Sequence, residues 1–138
     1  EKASFLSNNI SPIEQSGQLK FIERKSQLTK GVFQNIDIFF ADGHTESQMI
    51  PVINYNGQKI AFMADLLPSV GHIPLPYVMG YDTRPLKTLQ EKSIFLKLAL
   101  KNNYLLYLQH DSKNESCKLQ STEKGIRLKS THPLSDFL

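Results

Sequence analysis

The sequence predicts an α/β domain of α+β character, built from short strands in hairpins and one long helix. Three observations carry this. Asn56-Gly57 stands between two apolar runs, and that dipeptide is the strongest short-range hairpin signal. From Asp82 or Thr83 to about Asn102, apolar residues such as Leu89, Phe95, Leu96 and Ala99 recur on a broad helical face. Tyr104 to Leu108 is almost wholly apolar, the pattern of a strand buried on both sides.

Taken in order, Lys2 to Asn8 reads as the last turns of a helix, stopped by Asn8-Asn9 and Ser11-Pro12. Leu19, Phe21 and the apolar residues near Val32 read as short strands with polar alternation. Ile36 to Ala41 is a denser apolar run that stops at the turn dipeptide Asp42-Gly43. Met49 to Tyr55 and Lys59 to Ala64 are the two arms of the Asn56-Gly57 hairpin, and the second arm ends at Asp65. Leu66 to Tyr81 holds three prolines and two glycines with no period, which predicts a long loop, and such loops are usually functional. Asp82 or Thr83 is the expected helix cap, with Pro85 in the first turn and Asn102-Asn103 as the stop. Cys117 to Gln120 and Ile126 to Ser130 form a last hairpin around Lys124-Gly125, and the tail from His132 to Leu138 is expected to be loose.

Composition narrows the classes. The chain has 138 residues, enough for one domain, and 40% of them are hydrophobic, enough for a sizeable core. Sixteen basic residues against 13 acidic ones leave a net charge of +3, too small an excess to imply nucleic acid. Lys20, Arg24, Lys25 and Lys30 are interspersed with other residue types and read as a solvated face. No apolar run approaches a membrane span. Cys117 is the single cysteine, so no intrachain disulfide can form. No targeting segment is read, which favours the cytoplasm as an expectation, although the chain begins at Glu1 rather than at methionine.

Three apolar strands end in polar residues, at Asp42-Gly43-His44, at Asp65 and at His110-Asp111. His44, Asp65 and His110 are ligand types that suit zinc, manganese or iron. A carboxylate can bridge two cations, and a bridged pair can hold a hydroxide and polarise a substrate oxygen. Each residue also has a plain structural reading: His44 as a turn histidine, Asp65 as a cap, His110 as a satisfied buried histidine. On residues alone the two readings stay balanced.

The stretch from about Ile36 to Lys118 resembles the C-terminal half of metallo-β-lactamase-superfamily hydrolases. A strand leads into Gly43-His44-Thr45, which looks like that family's Gly-His-Thr element. Phe62-Met63-Ala64-Asp65-Leu66-Leu67 resembles its Gly-Asp-Leu block, with Ala64 in place of the usual glycine. A helix and a buried strand then lead into His110. The resemblance implies half of a four-layer αββα sandwich, with two divalent metal ions, most often zinc. His44 would ligate one, Asp65 would bridge both as the catalytic carboxylate, and His110 would ligate the second. The loop and Tyr81-Asp82 look like the lactonase and organophosphate-hydrolase branch. The family's His-x-His-x-Asp-His signature is absent, because the histidines stand only at 44, 72, 110 and 132. Residues 1–138 therefore read as the C-terminal half alone, an incomplete and inactive fragment. The missing ligands are expected from its own N-terminal half or from a second chain, and a homodimer is a further option.

The implied function is hydrolysis of a lactone, ester, phosphotriester or thioester by a metal-bound hydroxide. The alternative is a non-catalytic β-rich binding module whose polar strand ends are turns. In the loop, His72 and Tyr77 are the candidate substrate contacts; Tyr77 and Tyr81 could line an apolar pocket, but packing the loop down is the role expected of them. Asp82 is expected to cap the helix, with hydrogen bonding to a ligand histidine as its other role. Asp111 either orients His110 or starts a turn. Cys117 reads as a small buried hydrophobe, and His132 has no expected role.

Overall fold

The computed structural model describes residues 6–137. Helix α1 spans Ser7–Gln15, and strands β1 (Leu28–Phe33), β2 (Ile36–Ala41), β3 (Gln48–Tyr55) and β4 (Gln58–Phe62) follow. Helix α2 (Pro85–Lys101) leads to β5 (Leu105–Tyr107), β6 (Ser116–Thr122) and β7 (Gly125–His132). The strands form one sheet in sequence order. Neighbours pair antiparallel except β4 and β5, which are parallel. A parallel pair needs a crossover, and α2 provides it.

The β3–β4 hairpin turns where expected. Asn56 and Gly57 both adopt positive φ, 48° and 80°, as a type I′ turn requires. One face of the sheet packs on α2 through Phe39, Ile50, Val52, Ala61, Leu106 and Cys117, against Phe95, Leu96 and Ala99. Phe39 and Phe95 meet edge to face at 5.0 Å, a favoured aromatic geometry. The helix ends at Asn102, and Asn103 takes a left-handed φ of 51°, the conformation that commonly closes a helix.

The opposite face is apolar and largely open. Met49, Ile53 and Tyr55 are exposed. Ile53, Tyr55, Ile60, Phe62, Tyr107 and Leu134 line a recess of about 320 Å³ on it. Sheet and helix thus form two adjoining layers, with an uncovered third side.

Several expectations are corrected. Lys2 to Phe5 lie outside the described residues, and the described helix begins at Ser7, about where one was expected to end. Asn8-Asn9 does not stop it, and Pro12 sits inside it. The stop is Gly17 at φ 72°, with Gln18 and Leu19 donating back to the Ile13 carbonyl. Leu19 and Phe21 are not in a strand, and Phe21 is exposed. Phe21 lies beside the edge strand β1 without joining its ladder, so alternation alone does not make a strand. The tail is not loose among its described residues. Leu134–Phe137 is a 3-10 turn, the Leu134 amide donates to Glu115, and His132 meets the Phe137 ring edge-on. Arg24 is not simply solvated: it pairs with Asp42 and lies over the Phe40 ring.

Candidate metal centre

Three strand ends and one helix start build the site. His44 follows β2, Asp65 follows β4 and His110 follows β5, and these strands neighbour one another through β3. Their polar ends consequently meet on one rim. His44 Nε2 lies 3.6 Å from Asp65 Oδ2, and His110 Nε2 lies 3.0 Å from Asp65 Oδ1. One carboxylate thus faces a different imidazole with each oxygen.

The local sequence fixes His44 tightly. The Asp42 and Gly43 amides donate to the buried Glu91 carboxylate of α2 at 2.9–3.0 Å. A Cβ on Gly43 would stand 2.3 Å from Thr88 Oγ1 and 2.4 Å from the Thr88 nitrogen. Only glycine lets the helix approach the strand end this closely. Asp42 anchors the turn through Arg24, Lys87 and the Ser47 amide. Burial alone would raise its carboxyl, but Lys87, Ser47 and Arg24 outweigh that and hold it at about 2.

Asp82 orients the His44 ring: Asp82 Oδ1 is 2.8 Å from His44 Nδ1, and the Asp82 side chain is 1% exposed. With the Asp82 carboxylate as acceptor, Nδ1–H donates to it and Nε2 faces Asp65. The expected capping role is corrected. The helix cap is Arg84 with no side-chain cap bond, because Asp82 points to His44 and the Thr83 hydroxyl donates to the Gly43 and His44 carbonyls. Tandem turn residues at 82–83 signalled a cap. The competing partner 38 residues upstream left no local signal.

Asp111 does not hold His110. It accepts the Lys113 and Asn114 amides, which starts the turn, and the Val70 amide of the long loop. His110 itself is half exposed. The loop carries a 3-10 turn at Val70–His72. His72 Nδ1 lies 2.9 Å from Ser69 Oγ. The Tyr77 and Tyr81 rings are exposed, so neither packs the loop down. The loop is instead held by Lys92, a fully buried lysine of α2 that the sequence reading missed. Ala64, just before Asp65, has a φ of 44°, a left-handed conformation in which glycine is favoured.

The donor types fit a metal pair in part. Two imidazole nitrogens and one two-sided carboxylate are assembled, with Asp82 fixing the tautomer of one ring. Among the described residues, no group of three or more His, Cys, Asp or Glu side chains is by itself arranged to hold a metal ion. The arrangement is part of a donor set and needs further ligands.

No protein-family model matches the chain, and no curated protein does. Solved structures do match. A probable metal-dependent hydrolase from Staphylococcus aureus aligns at 22% identity over 86% of this chain and 42% of its own, with a TM-score of 0.66. The hydrolase AbOPH of the beta-lactamase superfamily aligns at 17% identity over 92% of this chain and 43% of its own, with a TM-score of 0.74. AidC, a dizinc quorum-quenching lactonase solved in complex with a product, aligns at 20% identity over 92% of this chain and 45% of its own, with a TM-score of 0.66. The chain therefore has the fold of about half of a metallo-β-lactamase-type hydrolase. It spans less than half the length of each of these structures.

Proposed function

We propose that this chain is one half of a metal-dependent hydrolase. Its His44, Asp65 and His110 would supply one side of a dinuclear, most simply dizinc, centre. A single observation carries the reading. Asp82 holds His44 Nδ1, which leaves Nε2 facing a carboxylate oxygen 3.6 Å away. Two acceptors face each other favourably only when a proton or a metal cation lies between them. The His110–Asp65 contact repeats the carboxylate–imidazole pairing on the other oxygen.

A bound metal pair supplies a hydroxide at neutral pH and polarises a substrate oxygen. This chain's residues would hold and orient it. His44 and His110 would each offer Nε2, and Asp65 would offer one oxygen to each side. Asp82 keeps the His44 ring in place. The substrate class is a lactone, ester, phosphotriester or thioester, with the Leu66–Tyr81 loop as the specificity element and His72 and Tyr77 as its contacts.

The remaining ligands would come from a second polypeptide segment, cleaved or continuous, or from another chain, packed on the open face of the sheet. The exposed Met49, Ile53 and Tyr55 and the apolar recess beside them support this. Such a contact would resemble a core cut in two. The test is zinc analysis and turnover of the intact protein, followed by His44→Ala. The proposal expects bound zinc and hydrolysis in the wild type and loss of both in the variant. Unchanged turnover in His44→Ala would favour the non-catalytic binding module instead.

A further inference from the structure

We propose that Lys92 is a positioning residue: from inside α2, its ammonium gathers three carbonyls of the Leu66–Tyr81 loop and fixes the loop's shape beside the candidate centre.

Lys92 is 1% exposed in the middle of a helix whose other buried residues are Thr88, Glu91, Phe95, Leu96 and Ala99. Its Nζ donates to the His72 carbonyl at 2.9 Å, to the Pro74 carbonyl at 3.2 Å and to the Tyr77 carbonyl. An ammonium has three donors and no acceptor, so these three carbonyls match its capacity. A hydrophobic residue of similar volume would pack against the core without desolvating a charge. What it could not do is satisfy three inward-pointing carbonyls of a segment that forms no regular ladder. Pro74 and Pro76 interrupt that segment, and its carbonyls converge on one point only because a donor is there.

Two further contacts tie the loop to the same rim. The Val70 amide donates to Asp111, which follows His110, and the loop's far end runs into Asp82, which holds His44. The loop is thus pinned at both ends to residues bordering the candidate ligands, and Lys92 holds its middle. Charge supports the placement. Burial lowers the Lys92 pKa to about 8, and Asp82 opposes that shift. His72 is lowered first by burial and then by the Lys92 charge.

The effect on substrate choice rests on the hydrolase reading above, whereas the anchoring itself does not. The experiment uses the intact protein with Lys92→Met and Lys92→Arg. Two readouts are followed: the His72 imidazole titration by NMR, assigned by its loss in His72→Gln, and kcat and KM on lactone, ester, phosphotriester and thioester substrates. Lys92→Met should raise the His72 pKa, because a positive neighbour is removed. It should cut kcat/KM by roughly tenfold or more, mainly through KM, and change substrate preference with zinc content retained. Lys92→Arg should keep the His72 titration near that of the wild type.

An unchanged His72 titration and unchanged preference in Lys92→Met would overturn the proposal. So would loss of zinc with preference intact, which would place Lys92 in the support of the centre rather than of the loop. A wild type that binds no zinc and hydrolyses nothing, but whose His72 still shifts in Lys92→Met, supports the anchoring and overturns the hydrolase reading alone. Should Lys92→Met fail to fold, exchange of the Lys92 ammonium protons in the wild type decides. Slow exchange with couplings to loop carbonyls supports the anchor, and exchange at the rate of a free lysine overturns it.

Discussion

His44 Nδ1 and Asp82 Oδ1 are 2.8 Å apart, and the carboxylate that makes this bond is almost wholly buried. The pair joins the end of β2 to the start of α2 and aims the other ring nitrogen at Asp65. Removing the carboxylate leaves the ring free to turn. Asp82→Ala should lower zinc affinity of the intact protein by about 10–100-fold. Competition with a chelator measures this, and an unchanged affinity would mean that Asp82 has only a structural part.

Gly43 packs against the first turns of α2 with no room for a methyl group. An added Cβ would stand 2.6 Å from the Thr88 Cα and nearer still to its nitrogen, and helix backbone does not yield cheaply. Gly43→Ala should destabilise the fold by about 3 kcal/mol or more, seen in the denaturant midpoint. A midpoint unchanged within error would show that the helix can shift.

Ala64 is strained in the opposite sense, since glycine adopts its φ of 44° without a Cβ penalty. Ala64→Gly should stabilise the native state by up to about 1 kcal/mol, partly offset by the freer unfolded chain. A clear loss of stability would show that the Ala64 methyl contributes packing that outweighs the strain.

Asp42 makes stability depend on acid. Its folded carboxyl is held at about 2, below the ordinary 3.8, by Lys87, Ser47 and Arg24 against the opposing effect of burial. The unfolded state thus binds more protons between these values, and stability falls as pH drops from about 4 to about 2. The contribution is on the order of 2 kcal/mol, reduced by the partial exposure of both cations. Asp42→Asn should flatten that part of the stability–pH curve. An identical curve in the variant would remove Asp42 as its source.

Cys117 is fully buried, and burial raises its thiol to about 12. It should resist iodoacetamide at pH 8 in the folded protein and react only on unfolding. Rapid labelling of the native protein would show that β6 opens.

Much of this was legible in the chain. The Asn56-Gly57 turn, the run Ile36–Ala41 and the helix ending at Asn102 are local signals, and the structure keeps them. Polar residues at the ends of apolar strands pointed to His44, Asp65 and His110, which meet because the sheet sets β2, β3, β4 and β5 side by side. The errors fall where a distant partner competes with a local motif. Asp82 looked like a cap and holds a histidine 38 residues away. Lys92 went unnoticed because its three carbonyl partners lie 15 to 20 residues upstream. Ser11-Pro12 was expected to end a helix, yet Pro12 lies inside α1 and Gly17 at φ 72° ends it.

The central claim is that Asp65 stands between two metal positions. The most direct test is zinc stoichiometry of the intact protein beside its Asp65→Ala variant, measured by mass spectrometry of the native protein. A bridging carboxylate predicts about two zinc ions per wild-type protein and loss of both in the variant. A wild type without zinc, or a variant that keeps its full complement, would contradict it.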